Sequence, residues 1–309
     1  MRVAWFISVG LMAGTASAQV TYTNISAADA FVATGSASNI LGSDLTGNNY
    51  GGAGNLVIAP SNSLKGEFQT VMRFDVSGAT NLFNSTYGTN NWVISSVALS
   101  FASNFGGDGE QPNNPIFPRV SGGNFVIEWL TTDDWDEGTG NPSIPSMDGI
   151  TYSSLPDLLT NLHEVLCTNT YLPPGDNIRV AWPLPLKSGF VSDIITNGLV
   201  TFRFYAADAE VGYMFNSYNF GRTNQPKILV TATQSPPLNI ISGAVSSSGS
   251  FQLLGVGAAE VQYQVLAATH LAPPQWQGLG SATADGSGLI RFDDFDITNR
   301  PQRFYRLSH

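Results

Sequence analysis

Short apolar runs that alternate with polar residues recur along this chain, and clusters of Gly, Asn and Pro punctuate them. In Val93–Ala102, Val97, Leu99 and Phe101 fall on one side and Ser96, Ala98 and Ser100 on the other. Phe125, Ile127 and Trp129 alternate with Val126, Glu128 and Leu130, and Val200, Phe202 and Phe204 with Thr201, Arg203 and Tyr205. A period of two is the mark of a strand with two unlike faces. Asn55–Ala59, Val71–Val76 and Lys227–Ala232 are further short runs of strand type. Turn clusters such as Gly47–Gly52, Asn104–Gly109 and Gln111–Pro115 separate them. This pattern predicts an all-β fold, an antiparallel β-sandwich of jelly-roll type.

Two stretches have helical spacing. Leu155, Leu158, Leu159, Leu162 and Leu166 predict a helix over Ser154–Leu166, with Pro156 in its first turn. Lys187–Thr196 predicts a second helix that stops before Gly198.

Arg2, the apolar run Val3–Gly14 and Ala16-Ser17-Ala18 together have the form of a signal peptide, residues 1–18, leaving a mature chain that starts near Gln19. Export to the extracellular space or the cell surface is the expected destination. No later stretch has the roughly 18 apolar residues of a membrane span, so no membrane insertion of the mature chain is expected. Cys167 is the only cysteine, so an exported chain of 309 residues has to rely on its core rather than on disulfides. His163 lies four residues before Cys167, the spacing of one helix face.

Charged residues make up 12% of the chain, against about 25% in ordinary soluble domains. The net charge of −10 argues against nucleic acid, which needs a basic footprint. Gln234-Ser-Pro-Pro-Leu238 reads as a linker, because consecutive prolines cannot continue a central strand. The organisation expected is a sandwich over residues 19–233, a Pro-rich linker over 234–240 and a small β domain over 241–309.

Several groups of residues could carry chemistry. Asp133, Asp134, Asp136 and Glu137 form the densest acidic cluster, in a Gly-rich loop. Carboxylates at alternate positions, here Asp134 and Asp136, can converge on Ca²⁺, which takes six to eight oxygens. The twelfth position counted from Asp134 is Pro145, so the loop is not an EF-hand. By analogy with jelly-roll binding modules, which often hold a structural Ca²⁺ with an early Asp and backbone carbonyls, Asp29 is a second candidate ligand, with carbonyls of the Asn48–Gly54 loop as its complement. A structural Ca²⁺ is the one cofactor these residues point to. Glu128 is the one strand carboxylate that could serve a glycosidase pair. No Gly-x-Ser-x-Gly and no His or Cys metal spacing occurs. Aromatic faces stack on sugar rings. Trp129 and Phe202 alternate like core residues, whereas Trp135, in the acidic loop, and Tyr218, in a polar hairpin with Arg222, are the expected surface contacts.

Taken in order, Ala28-Asp-Ala-Phe-Val32, Val71-Met-Arg-Phe-Asp-Val-Ser77, Val97-Ala-Leu-Ser-Phe101, Phe215-Asn-Ser-Tyr218 and Gln225-Pro-Lys-Ile-Leu-Val230 resemble the DNRLRE-type domain over residues 22 to 233. That family is a secreted bacterial β-sandwich related to carbohydrate-binding modules. Trp135-Asp-Glu-Gly-Thr-Gly140 is similar to its "Trp-x-Glu" segment. The stretch running from Tyr263-Gln-Val265 through Trp276 and Asp285-Gly-Ser-Gly288 to Arg303-Phe-Tyr-Arg306 is similar to the small fibronectin-like or adhesion-type domain that closes many secreted proteins of the Verrucomicrobia and Planctomycetes type. The resemblance implies a non-catalytic carbohydrate-binding or adhesion-type protein, with a polysaccharide or a cell-surface or matrix component as partner. A structural matrix protein without glycan specificity, and a polysaccharide-active hydrolase or lyase, are the alternatives.

Overall fold

The structure, a computed structural model, describes residues 19–89, 91–105, 115–221, 224–246, 249–258, 261–285, 288–296 and 302–308. The proposed leader and Arg222 lie outside the described residues.

The fold is an all-β sandwich. Its first strand, β1 (Gln19–Ala33), spans both layers. The half Gln19–Ile25 runs antiparallel to Lys227–Thr233, and after an irregularity between Ser26 and Ala28 the half Ser26–Ala33 pairs instead with Phe68–Phe74. A bulge bends a strand and increases its twist, which lets one strand leave one layer and enter the other. The other strands of this part are β2 (Asn55–Ile58), β3 (Phe68–Asp75), β4 (Trp92–Ala102), β5 (Gly123–Leu130), β6 (His163–Tyr171), β7 (Arg179–Leu184), β8 (Leu199–Ala206), β9 (Tyr213–Asn216) and β10 (Lys227–Gln234). One layer is β7-β4-β10 with the start of β1; the other is the end of β1 with β3-β8-β5-β6. A separate pair, β2 and β9, runs antiparallel beside them.

Rings hold the layers together. Phe101 of β4 packs edge-on against Phe204 of β8, with centroids 5.5 Å apart, and stacks on Phe215 of β9 at 4.6 Å. Trp182 of β7 meets Phe125 of β5 at 5.1 Å. Trp129 and Phe202 are buried in the same core.

Helix α1 (Ser77–Tyr87) carries the chain from β3 to β4, and α3 (Ser188–Thr196) from β7 to β8. Helix α3 matches the expected Lys187–Thr196; Gly198, at φ +77°, follows its end and its carbonyl accepts from Val76 N–H at 2.7 Å. Helix α1 was not anticipated. Its Ser, Thr and Asn content disfavours helix, and only Ala79 and Phe83, four residues apart, are buried. Tertiary packing of Phe83 against Trp92, at 5.0 Å, stabilises it.

The helix expected over Ser154–Leu166 is instead one turn, α2 (Leu155–Leu158), followed by strand β6. Leu155 and Leu158 bury against Ala28, Ala30 and Val32, while Leu162 stays 65% exposed. From there the backbone is taken up by β5: Thr131 N–H donates to Leu162 O at 3.0 Å, and His163 opens the ladder opposite Leu130. His163 and Cys167 therefore lie on a strand. The Cys167 sulfur accepts from Asn169 at 3.2 Å, and burial pushes its thiol pKa up.

The C-terminal part forms two three-stranded sheets: β11 (Asn239–Val245), β12 (Phe251–Val256) and β15 (Leu289–Asp294) in one, β13 (Gln262–Ala268), β14 (Gln277–Thr283) and β16 (Phe304–Ser308) in the other. Leu253, Tyr263, Val265, Ile290 and Leu307 fill the space between them, and Phe251 stacks on Tyr305 at 4.7 Å. Arg303 joins Asp294 in a largely buried ion pair that Tyr305 completes with a hydrogen bond of 2.9 Å.

Removing a ring where the layers meet tests this packing. Phe204→Ala should cost about 3–5 kcal/mol in urea-induced unfolding of the sandwich, and Phe204→Leu well under half of that. A loss of less than about 1 kcal/mol for Phe204→Ala would mean that the layers are not joined through this ring.

Candidate functional site

Two places on the sandwich bring functional groups together. The first is the corner that the bulge creates. Just past it, Asp29 sits on the same side of β1 as Phe31 and is fully buried. Its Oδ2 accepts from the Ser26 hydroxyl at 2.7 Å and from the Tyr218 backbone N–H at 2.9 Å. Its Oδ1 is buried with no hydrogen-bond partner. Burial pushes this carboxyl up to about 7; the Ser26 and Tyr218 hydrogen bonds pull it down and the neighbouring Glu137 pushes it further up. Glu137 Oε1 accepts from Asp29 N–H at 3.2 Å and from the Asn219 side chain at 3.4 Å. Burial raises the Glu137 pKa too, against the pull of the Asp29 N–H and the positive charge of Arg73. Asn219 also donates to Gly51 O at 2.9 Å.

Buried Asn49 builds the frame of the corner. Its Nδ2 donates to Glu137 O at 2.7 Å and Ile150 O at 2.8 Å, and its Oδ1 accepts from Gly51 N–H at 3.0 Å and Gly140 N–H at 3.1 Å. The contact requires glycine at position 138, which has φ +79° and where a Cβ would come within 2.3 Å of the Asn49 amide.

The acidic-loop residues are placed differently from expectation. Asp134 and Asp136 are exposed and do not join Asp29; it is Glu137 that reaches it. Asp133 accepts from Thr201 at 2.7 Å and Asn197 at 2.6 Å. Nothing in the spacing of the cluster distinguished Glu137 from its neighbours. Trp135, expected at the surface, is 7% exposed. Its indole N–H donates to Thr201 Oγ1 at 3.2 Å, and Arg73 lies 5.1 Å over its ring and donates to its carbonyl at 2.9 Å. An apolar ring next to the buried Val71, Leu130 and Ile150 gains more by closing the core than by facing water. Tyr218 is 41% exposed at the start of a 3₁₀ turn, Tyr218–Phe220. Among the described residues no three His, Cys, Asp or Glu side chains converge on one point. A cation here would have to be held by Asp29 and Glu137 with carbonyl oxygens such as that of Gly51. The orphaned Asp29 Oδ1 fits a hard cation that takes oxygen ligands.

The second place is the outer face of the second layer. Trp135, Ile150, Leu155 and Leu158 cover its β1 side. The rest carries a chain of paired polar side chains. Glu128 of β5, 5% exposed in its side chain, bonds Arg203 of β8 at 3.0 Å and His163 of β6 at 2.9 Å. Arg203 donates to Gln69 of β3 at 2.7 Å, Gln69 donates to Glu67, and Tyr152 donates to Glu67 at 2.9 Å. Burial and then Glu67 push the Tyr152 hydroxyl up to about 12. Arg203 lies 4.5 Å over the ring of Tyr205. Beyond Tyr205 an open trough of about 480 Å³ lies between Ala206–Ala209, Pro60–Asn62 and Glu67.

Both carboxylates of this chain of contacts, Glu128 on β5 and Glu67 just before β3, are thus engaged by donors. Sequence reasoning singled out Glu128 but not the residues around it, because Arg203, Gln69 and Glu67 come together only through the β5–β8–β3 register.

No family model matches this chain, and no curated protein matches it. Among solved structures it is similar to the β-glucuronidase of Ruminococcus gnavus, at 7% identity over 95% of this chain and 45% of that one, with a TM-score of 0.21. It is also similar to the glycoside hydrolase domain of Endo-D from Streptococcus pneumoniae R6, at 10% identity over 88% of this chain and 31% of that one, with a TM-score of 0.13. The chain spans less than half the length of either, and likeness at these scores carries no functional argument.

The corner has a pH signature. The folded carboxyl of Asp29 titrates near 7, against 3.8 for a free one. Its contribution to stability is therefore complete below about pH 4 and is lost as pH rises through 7. In EDTA, melting temperature should fall from pH 5 to pH 8, and Asp29→Asn should flatten that fall. Equal slopes for the two proteins would show that Asp29 is not the group that titrates.

Proposed function

We propose that this is a secreted, non-catalytic binding protein whose sandwich holds polysaccharide, or a glycan of a cell surface or matrix, by reversible contacts. The outer face of the second layer carries this reading. It presents polar side chains fixed by one another, from His163 through Glu128, Arg203 and Gln69 to Glu67 and Tyr152, beside an open trough. Fixed donors and acceptors lose little freedom when a hydroxylated ligand replaces water, so such a face binds without rearranging. The buried Asp29 carboxyl sits away from any ligand that approaches from solvent, so its raised pKa serves the fold rather than a proton transfer.

A structural Ca²⁺ belongs to this reading. Asp29 and Glu137 would hold it, with the Gly51 carbonyl, rather than Asp134 and Asp136. When bound, the ion would supply positive charge beside the buried Asp29 carboxyl and the half-buried Glu137 next to it. The chain's own contribution is positional: Asn49 and Asn219 keep the 48–54 and 137–150 segments against β1. The residue 1–18 segment carries the proposal of export. The C-terminal β domain is proposed as a spacer or surface-attachment module.

The test is retention of the chain from Gln19 on a panel of polysaccharides, with Ca²⁺ or EDTA present and released reducing sugar assayed in parallel. Retention without product is expected. Released oligosaccharide would make the protein an enzyme, and failure to be retained on any glycan would favour a structural matrix role. At pH 8, Ca²⁺ should raise the melting temperature of the wild type by several degrees and leave Glu137→Gln and Asp29→Asn nearly unmoved; equal shifts in all three would place the ion elsewhere.

A further inference from the structure

We infer that the trough beyond Tyr205 is the ligand subsite of this face and that it takes one or two rings of a neutral, hydroxyl-rich glycan, an assignment that rests on the binding reading above. Its volume, about 480 Å³, lies within the roughly 300–1,000 Å³ typical of small-ligand sites. Part of its lining is small: Ala206, the last residue of β8, and Ala207 and Ala209 beyond it leave space that larger side chains would fill. Arg203, two residues before Tyr205, lies over one face of its ring, on the strand whose last residue, Ala206, opens the lining of the trough.

The groups on the walls explain the choice of ligand. The trough is rich in acceptors. Glu67 takes one hydrogen bond on each oxygen, from Gln69 and Tyr152, and keeps lone pairs on both. Asp208 accepts from the backbone of Asn124, Glu210 and Val211, which fixes its carboxylate at the rim. Asn62 donates to Ala209 O at 3.3 Å and ties the two walls together. Two carboxylates with no basic side chain among the lining residues call for a ligand that donates hydrogen bonds and carries no negative charge. Sugar hydroxyls do this, since each can donate to a carboxylate oxygen. A uronic acid would put its carboxylate against Glu67 and Asp208 on a protein already at −10.

The experiment uses the full mature chain in Ca²⁺ and measures affinity electrophoresis and calorimetry. The neutral probes are mixed-linkage β-glucan, xyloglucan, xylan and galactomannan; the acidic ones are polygalacturonate and alginate. Ala207→Trp fills the trough from an exposed position and should keep the fold, which a melting curve checks. It should weaken binding of the neutral polymer at least tenfold, and Glu67→Gln, which removes the acceptor charge without changing shape, should weaken it as well. Leu172→Ala, an exposed side chain outside the trough lining, should stay within twofold of the wild type. Neutral-glycan binding that survives both Ala207→Trp and Glu67→Gln would overturn the subsite and leave the binding reading intact. Binding to polyuronates alone would overturn the ligand class. Absence of binding to any probe by the wild type would overturn both this assignment and the reading beneath it.

Discussion

The sandwich depends on one strand that belongs to both of its layers. β1 pairs with β10 before its bulge and with β3 after it, so the two layers are linked covalently at a corner rather than only across their core. A strand that changes partner leaves a short stretch where neither neighbour satisfies all its polar groups. Here the side chains of that stretch and the approaching loops do it. Ser26 N–H reaches Pro226 O at 3.1 Å, Asp29 N–H goes to Glu137, and the Asp29 carboxylate takes the Tyr218 N–H. The corner therefore fixes three segments far apart in sequence, and the loop that carries Glu137 is laid over the outer face of β1 and β3 by the same contacts.

That overlay divides the second layer. Under Trp135, Ile150, Leu155 and Leu158 the outer face of β1 and β3 becomes a second apolar core, and only the β5–β8 side stays open. The inner face of the same strands is packed with Phe125, Phe202, Phe204 and Trp129. Alternate residues of β5 and β8 thus serve two purposes: one set builds the core and the other, Glu128, Arg203 and Tyr205, is held at a fixed height above a rigid floor. A polar face placed on a strand pair of this kind moves little, because displacing one of its side chains would mean displacing the core behind it.

Much of this was legible from the period of two alone. β4, β5 and β8 were read from their alternation, with Trp129 and Phe202 assigned to the core, because each has one face against rings and one against solvent or polar neighbours. The parts that were not legible share a cause, which is that tertiary contacts decided them. The leucines from Leu155 onward keep helical spacing, yet the edge of β5 needed a partner and took His163–Tyr171 as a strand. Helix α1 has no helical composition and exists because Phe83 and Ala79 close the end of the core. At the site, Asp29 was visible as an acid in an otherwise apolar strand. Glu137 was one of four neighbouring acids, and only the 3D path of the loop separates it from Asp134 and Asp136. Trp135 was read as exposed because its neighbours are charged, although Arg73 and Thr201 draw it inward.

The pairing of Glu128 with Arg203 bears on why the open face is polar at all. The two side chains are 5% and 16% exposed, so both pay a substantial desolvation penalty that their 3.0 Å contact only partly returns. Apolar residues of similar size at a site like this are often as stable or more so, and the neighbouring Val126 and Val71 show that the sheet tolerates them here. Stability of the sandwich therefore gives no reason for a line of charges from β6 across to β3. The line does what an apolar surface could not: it holds Gln69, Glu67 and the Tyr205 ring in set orientations, and Glu67 in turn lines the trough. Polar groups oriented at a cost to the fold are what the proposed binding role would require, and it is this cost, rather than stability, that the proposal accounts for.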